Sequence, residues 1–468
     1  LQPTSTETLW IVDGYALVFA GLLLPAGALG DRYGRKGALL VGLAIFIGGA
    51  LWSAWSGTPT ELIVARGSMG VGAALIMPAT LSILVSVFPV RERAKAIAVW
   101  AGFAGAGGAI GIIAGGALLE AFWWGSVFFV NVPIAVFAAI MIMAVVPTSK
   151  DESATPLDPV GSLLSIGALG TLVYAIIEGG EVGWGASSTL VWFAVAAVLL
   201  FGWIRWEGST RHPMLDPALF QRRPFSLGSL TLTAAFAVMF GMFFLITQYF
   251  QFVQGHSPLE AGIRNLPFAI TMIIVAPRSP AIAERLGKRG AISMGLLIQT
   301  VGFLFLIGLD VTTPYVFAAI GISLLAGGMA FLMPAASEAI VSSVPPSKAG
   351  VGSAVNDTTR EVGGALGIAI MGSVLASVYR DDIDADLAGL PEPAAELARE
   401  GIGGTFRVVQ ETGAIELLDP ARNAFMSGMT VAFIVAGCVS LVTAAVIALR
   451  YPAREDEPEP VAEPVTGS

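Results

Sequence analysis

The chain has almost none of the residues that build redox and metal centres. Its 468 residues include 1 cysteine and 2 histidines. The single Cys438 lies inside an apolar run, which excludes a disulfide within the chain and any cysteine-based metal cluster. His212 and His256 both fall in loops, so a histidine-rich metal site is not expected. Neither a nucleophile–base set nor a metal-ligand spacing is visible, and the sequence therefore predicts no enzyme and no cofactor.

Charge is scarce as well. Charged residues make up 13% of the chain and hydrophobic residues 55%, a composition that fits a protein surrounded mostly by lipid. The net charge of −9 says little about partners, because the acids cluster in the loop 381–420 and the tail 451–468. The tail is charged and proline-rich, and we predict that it is disordered. No surface for nucleic acid is visible.

Long apolar runs are what the chain has in abundance. A helix needs about 20 residues to cross a hydrocarbon core of about 30 Å, and each run is long enough. Every backbone group must be satisfied internally in lipid, and runs this continuous exclude a β-barrel. The sequence therefore predicts an all-α integral membrane protein. The predicted spans are 9–29, 38–57, 62–86, 96–118, 126–146, 159–178, 188–206, 226–252, 260–280, 291–309, 313–340, 351–379 and 424–449.

Arginine and lysine alternate between successive loops, and this sets the orientation. The short intervening loops hold neither residue, whereas basic loops stay in the cytoplasm. The C-terminus is then cytoplasmic and the long loop 380–423 extracellular, where the rule acts weakly. The same alternation places Leu1 outside, so we expect one further helix before it, fourteen in all; a cleaved signal peptide is the alternative. The basic loops are 32–36, 91–95, 211–223 and 285–289.

Two stretches recur at nearly the same spacing. Residues 27–36 match 280–289 in charge sign and glycine position, 253 residues apart (27 to 280), and 107–111 match 363–367, 256 residues apart (107 to 363). Chance similarity between Gly/Ala-rich helices is the alternative, but two matches at one offset favour two homologous halves. Parallel repeats of this kind are typical of transporters whose substrate site lies between the halves near mid-membrane.

The repeat predicts a domain division. Two halves account for twelve helices, so the pair of helices between them is interpreted as an insertion. The predicted parts are an N-terminal half over 1–147, inserted helices and a cytoplasmic loop over 148–224, a C-terminal half over 225–450, and the tail 451–468.

The turn after the first span carries the most specific motif. Gly34 permits a tight reversal, Asp31 can pair with a cation or cap a neighbouring helix, and the cations can anchor to the inner leaflet. A generic basic loop is the alternative. The segment resembles the loop motif G-x-L-x-D-R-x-G-R-K of the major facilitator superfamily, in which the turn acts as a latch between conformations. The resemblance implies this role for Gly27, Asp31, Arg32, Gly34 and Arg35.

Two further helices resemble motifs of the same family. Arg66 lies inside an apolar run, at a cost of roughly 2.5–3.5 kcal/mol on insertion scales. It resembles the family's R-x-x-x-G motif, implicated in proton movement; a structural ion pair is the alternative. Glycines recur every four residues in the span 96–118 and predict a stripe that lets another helix approach closely. Part of this stripe resembles the antiporter motif G-P-x-x-G-G, with Ile112 in place of proline. The glycines are Gly107, Gly111, Gly115 and Gly116.

Four more segments narrow the resemblance. Residues 9–15, 128–133, 212–220 and 349–357 are similar to the fourteen-helix drug:proton antiporter family, and the first is closest to exporters of quaternary ammonium and other lipophilic cations. The resemblance implies the major facilitator fold, with two six-helix halves, two inserted central helices and thirteen of fourteen helices present. Trp10 in the first segment is interpreted as an interfacial anchor, with cation binding as the alternative.

Acids within the spans are the candidate coupling residues. Asp357 and Glu361 share one helix face, with Arg360 beside them. Desolvation penalises a charged carboxylate, so such a group can hold a proton or a lipophilic cation but not comfortably both. That competition is sufficient for antiport. The resemblance implies substrate or proton handling by Asp13, Asp357 and Glu361; a salt bridge of Arg360 with either neighbouring acid is the alternative. For Glu338 a structural or solvated role is favoured.

The sequence therefore predicts a proton-coupled exporter of lipophilic, cationic compounds that works by alternating access. It is expected to be a multi-pass monomer in the plasma membrane, with the lipid bilayer, protons and small molecules as partners and the proton gradient in place of a cofactor. One alternative is export of an endogenous metabolite, lipid or antibiotic. Another is a receptor or assembly factor that keeps the fold without transport.

Overall fold

The computed structural model describes residues 5–148, 158–210, 213, 215–345, 348–388 and 390–452. His212 and nearly all of the predicted tail lie outside these residues. The described chain is helical and contains no strand. The helices are α1 Ser5–Tyr33, α2 Arg35–Ala54, α3 Pro59–Val87, α4 Val90–Ala121, α5 Ser126–Phe129, α6 Asn131–Val145, α7 Pro159–Glu181, α8 Ser187–Glu207, α9 Arg223–Gln248, α10 Pro258–Arg264, α11 Leu266–Val275, α12 Ser279–Ile307, α13 Tyr315–Ser342, α14 Ala349–Ile383, α15 Glu392–Arg399, α16 Ile402–Thr412 and α17 Leu418–Arg450.

Most of the predicted spans coincide with single long helices, whereas 126–146 falls on α5 and α6 and 260–280 falls mainly on α10 and α11. Eleven stretches of the described residues are long and apolar enough to cross a membrane. One of them, Pro258–Ile307, is 50 residues long and reverses at Gly287, so it contains two predicted spans. The predicted span 96–118 lies in α4, a helix of 32 residues that is not among the eleven. The protein is therefore a multi-pass helical membrane protein.

The internal repeat is visible in the backbone. Gly34 separates α1 from α2 at φ 113°, and Gly287 breaks α12 at φ 72°. Both values lie in the left-handed region that glycine adopts without steric cost. An acidic residue precedes each glycine by three positions: Asp31 precedes Gly34, and Glu284 precedes Gly287. The two matched segments thus have a glycine with positive φ at the same relative position.

The two ends of the helix bundle differ in charge. The basic end carries the loops 32–36 and 91–95 and the described residues of 208–222, and the acidic end carries the described residues of the segment 380–423. The sequence predicted only a long loop at the acidic end, but the described part of it forms α15 and α16. These helices bury Ala398 and Ile402, and the Tyr379 hydroxyl lies 2.7 Å from the Thr405 hydroxyl. The segment is thus a folded helical hairpin attached to α14.

The helices α7 and α8 form a hairpin between the two halves. Asp158 caps α7 by accepting a hydrogen bond from the Gly161 N–H at 2.8 Å, and its second oxygen accepts one from the Trp206 indole at 2.7 Å. The buried Glu207 at the end of α8 accepts hydrogen bonds from the Trp203 indole and the backbone N–H of Leu215. The hydrogen bond between Trp206 and Asp158 thus joins the two helices at the basic end.

Candidate functional site

A cavity of about 1140 Å³ lies between the two halves. Its wall is mostly apolar, and its polar side chains are few. Tyr15, Arg66 and Asn131 line it from the N-terminal half. Arg360 and Glu361 line it from α14. A large apolar cavity with a few convergent polar groups is the usual form of a small-molecule site.

Arg66 is held in this cavity by a carbonyl group and two aromatic rings. Its Nε donates a hydrogen bond to the Ile11 carbonyl at 3.0 Å, and its guanidinium carbon lies 4.5 Å from the centre of the Tyr15 ring and 5.8 Å from that of Phe128. Cation–π contacts of this kind contribute about 0.5–2 kcal/mol. No ion pair joins Arg66 to a carboxylate among the described residues, so the alternative of a structural ion pair is not seen there.

Asp357 and Arg360 form an ion pair next to the cavity. Arg360 donates from Nη1 to Asp357 Oδ1 at 3.1 Å, and Asp357 is 2% exposed. The Arg360 guanidinium carbon lies 5.3 Å from the centre of the Trp100 ring and 4.7 Å from that of Phe236. Within the described residues, Asp357 Oδ2 has no hydrogen-bond partner. The salt-bridge alternative for Arg360 therefore holds for Asp357.

Glu361 follows directly but is placed differently. Its side chain is half-buried and lines the cavity, whereas Asp357 does not. Among the described residues no hydrogen bond or ion pair to Glu361 is seen. Arg360 is turned towards Asp357 and the two rings, which leaves Glu361 as a carboxylate facing the apolar cavity. The two acids that the sequence grouped together thus have different surroundings.

The predicted latch joins the two halves at the basic end. Asp31 accepts hydrogen bonds from the backbone N–H groups of Gly350 at 2.8–2.9 Å and Val351 at 3.2 Å. These groups are in the first turn of α14, where a helix N-terminus favours an anion. Arg35 pairs with the same carboxylate at 2.9 Å, and both side chains are buried. At Gly27 an added Cβ would lie 2.5 Å from the Gly350 carbonyl oxygen, so α1 and α14 are in close contact.

An apolar cluster closes the same end. Leu81 and Val85 of α3 pack with Ile97 of α4 and with Val341 of α13, which belongs to the other half. Trp100 packs against this cluster and also against the larger core, most of whose residues belong to the C-terminal half. The cavity is therefore separated from the basic end, while at the acidic end its lining includes Glu400 and Ile402.

The glycine motif of α4 contrasts with its repeat on α14. Among the described residues, no heavy atom lies within 4 Å of a Cβ built at Gly107, Gly111 or Gly115. Only Gly116 has a close neighbour, Leu259 of α10, at 3.3 Å. On α14, by contrast, a Cβ at Gly367 would collide with the Ala237 carbonyl of α9. The predicted close approach of another helix is thus seen at Gly116 and not along the rest of the α4 stripe.

The remaining candidates are Asp13, Trp10, Glu338 and Arg32. Asp13 falls in α1, but its side chain lies outside what the structure describes. Trp10 is 37% exposed and stacks on Tyr174 of α7 with 6.0 Å between the ring centres. Glu338 forms an ion pair with Lys288 at 3.6 Å, which agrees with its favoured structural role. The Arg32 guanidinium carbon lies 5.5 Å from the centre of the Tyr33 ring.

Sequence reasoning missed the aromatic partners of the two arginines. Tyr15, Trp100, Phe128 and Phe236 are separated from those arginines along the chain or lie on other helices. An aromatic residue within an apolar span carries no signal of which cation it faces. The only hint was physical: an arginine in an apolar span needs compensating neighbours.

The chain is similar to known transport proteins. The family described as Major Facilitator Superfamily matches residues 1–368. The multidrug efflux pump LfrA of Mycolicibacterium smegmatis is 36% identical over 96% of this chain and 90% of its own length. The tetracenomycin C resistance and export protein of Streptomyces glaucescens is 33% identical over 100% of this chain and 89% of its own length. The methyl viologen resistance protein SmvA of Salmonella typhimurium is 34% identical over 95% of this chain and 90% of its own length.

Solved structures share the fold. The human organic anion transporter MFSD10 superposes with a TM-score of 0.58 at 14% sequence identity, over 94% of this chain and 86% of its own. A peptide transporter, POT, gives a TM-score of 0.55 at 16% sequence identity, over 95% of this chain and 86% of its own. At such identities the likeness concerns the arrangement of helices alone.

Proposed function

The chain belongs to the Major Facilitator Superfamily, and from that premise we propose that it exports lipophilic drugs across the plasma membrane by proton-coupled alternating access. The chain is a transporter rather than an enzyme. Relatives that it covers almost completely are named for multidrug efflux or drug resistance, which supports lipophilic compounds as substrates. The proton gradient takes the place of a cofactor in this proposal.

The observation that carries the coupling proposal is the position of Glu361. Its carboxylate faces an apolar cavity between the halves, next to an Arg360 that is already paired with Asp357. A carboxylate with this exposure can bind a proton or a cationic substrate, and each ligand lowers the affinity for the other by the same factor. Asp357, which is buried and salt-bridged to Arg360, would assist by fixing the orientation of the Arg360 guanidinium. Asp13 and Arg66 are proposed as further members of the coupling set.

The conformational cycle follows from which end is closed. In this structure the latch and the apolar cluster at Leu81 and Val341 seal the basic end. We assign the basic end to the cytoplasm because basic loops are retained there, which also makes the C-terminus cytoplasmic. The conformation then faces outward. A proton reaching Glu361 from outside would release the drug, and opening of the Asp31–Gly350 contact would expose the cavity to the cytoplasm.

The domain division predicted from the repeat supports this cycle. The N-terminal half 1–147 and the C-terminal half 225–450 would move against each other, with 148–224 between them. The protein is proposed to work as a monomer, since the cavity is formed within one chain.

Transport by the purified protein in liposomes tests the proposal. With an imposed pH gradient, efflux of ethidium is expected, and Glu361→Gln is expected to abolish its dependence on the gradient. Glu92→Gln, at an exposed position on the basic end, serves as the control with the same change in charge. Gradient-driven efflux that is equal in the wild type and in Glu361→Gln would refute the role of Glu361. Absence of any efflux of ethidium and of neutral drugs by the wild-type protein would refute the transport proposal.

A further inference from the structure

The helix α7, which lies outside the two repeated halves, contacts both of them. On the side of α1, the ring of Tyr174 stacks on Trp10, and a Cβ at Gly21 would lie 3.5 Å from the Ile166 carbonyl oxygen. The helices α1 and α14 meet directly at Gly27, near the basic end. The contacts at Gly21 and Trp10 lie further from the basic end, so α7 packs along the part of α1 between these two residues.

On its other side α7 packs against α14. A Cβ at Gly180 would lie 2.9 Å from the Ala369 Cβ, so the lack of a side chain at Gly180 permits the close approach. Just beyond the helix, the Trp184 indole donates a hydrogen bond to the Ser373 hydroxyl at 2.9 Å. The same helix thus contacts both α1 and α14, the two helices that hold the latch.

One face of α7 also borders the cavity. Val173, Ile177 and Gly180 are among the lining residues. They are four and three residues apart, which places them on one side of a helix. Leu163, on the same helix, is 71% exposed and is not among the lining residues. The helix therefore has a face that borders the cavity and another that is open to lipid.

We propose that α7 forms a wall of the substrate cavity and that Val173 and Ile177 limit the size of the compound that fits. This inference rests on the proposed export function and adds a specificity role for an inserted helix. The physical reason is that apolar contact is non-directional, so an aliphatic wall selects by shape and volume. Both side chains lie on the same cavity as Glu361, to which a bound compound would also be exposed.

Chemical labelling tests the position of the wall without requiring transport. Cys438 is the only cysteine, so Cys438→Ala gives a background without thiols. In that background Ile177→Cys and Leu163→Cys are placed in lipid nanodiscs and treated with a charged, water-soluble thiol reagent. Labelling of Ile177→Cys is expected, slowed by ethidium, with little labelling of Leu163→Cys. Equal labelling of the two variants would overturn the assignment of Ile177 to the cavity.

Transport then tests the specificity role. Ile177→Trp is expected to reduce efflux of a bulky drug such as doxorubicin about tenfold more than efflux of ethidium, the size of effect that a misfit in an apolar pocket produces. Leu163→Trp carries the same bulk on the lipid side and should leave the ratio unchanged. If Ile177→Trp does not fold, Ile177→Ala should shift the ratio in the opposite direction. An unchanged ratio in the folded Ile177 variants would overturn the specificity role while leaving export itself intact.

Discussion

Asp31 caps the first turn of α14 by accepting hydrogen bonds from the Gly350 N–H at 2.8 and 2.9 Å, across 319 residues of sequence. The two residues belong to different halves of the protein. In the cycle proposed above, this contact breaks when the basic end opens. A buried carboxylate that neutralises a helix N-terminus and pairs with Arg35 stabilises one conformation of the pair of halves.

Removing the charge from Asp31 should favour opening of the basic end. Hydrogen bonds to a charged group contribute about 1.5–3 kcal/mol, and each 1.4 kcal/mol changes a population about tenfold. In the Cys438→Ala background, Val341→Cys reports on the closed cluster, because Val341 is 4% exposed. Asp31→Asn should raise its rate of labelling by a water-soluble reagent about tenfold or more. Glu92→Gln is the control, and an equal rate in both variants would contradict the role of the cap.

The close contact of α1 and α14 predicts a strict requirement for glycine at position 27. A Cβ there would lie 2.5 Å from the Gly350 carbonyl oxygen, and overpacking of this kind costs about 1–3 kcal/mol. Gly27→Ala should therefore slow drug efflux and expose Val341→Cys. Gly37→Ala is a matched control on α2, because no heavy atom of the described chain lies within 4 Å of its Cβ position. Similar rates of efflux by Gly27→Ala and Gly37→Ala would show that transport does not depend on the close contact of α1 and α14 at Gly27.

The Asp357–Arg360 pair predicts a non-additive pair of substitutions. Arg360→Gln leaves the carboxylate of Asp357, 2% exposed, without its cation, a change that costs about 3–5 kcal/mol in buried pairs. The double variant Asp357→Asn with Arg360→Gln removes both charges and should recover most of the lost thermal stability. The melting temperatures of the purified wild type, the two single variants and the double variant measure this double-mutant cycle. Additive losses in the three variants would mean that the two side chains do not act as a pair.

The hairpin at the acidic end predicts a smaller effect. Tyr379→Phe removes one hydrogen bond to Thr405, and both hydroxyls are buried. The expected loss is about 1 kcal/mol of stability, because Thr405 keeps a second hydrogen bond, to the Ala398 carbonyl. Limited proteolysis between α15 and α16 should become faster in Tyr379→Phe. Tyr33→Phe, at a position 68% exposed, is the control and should leave the cleavage rate unchanged.

The sequence was most informative where the signal is local. Apolar runs predicted the helices because a span in lipid must satisfy its own backbone, which requires continuous hydrophobic residues. The turns at Gly34 and Gly287 could be matched because a tight reversal needs glycine and the flanking charges recur. The segment 380–423 was missed as a helical hairpin because its polar composition is that of a surface loop, and its few buried residues became visible only on packing.

In the candidate site, the sequence predicted which residues are involved but not which of them contact one another. The sequence could name Asp31, Arg66, Asp357 and Glu361, because a charge within an apolar run is costly and therefore conspicuous. It could not say that Arg360 turns to Asp357 and leaves Glu361 facing the cavity, since both acids are within reach on the same helix. That choice depends on Trp100 and Phe236, which are brought in by two other helices.

The amino-acid order by itself determined that the chain crosses a membrane many times and that certain charges lie within apolar helices, and it predicted two related halves. These properties depend on residue type and on spacing along one helix. Only the tertiary structure decided that α7 borders the cavity, that Asp31 caps α14 and that the basic end is closed. Helix neighbours are set by the packing of whole surfaces, and many apolar helices offer nearly interchangeable surfaces until they are assembled.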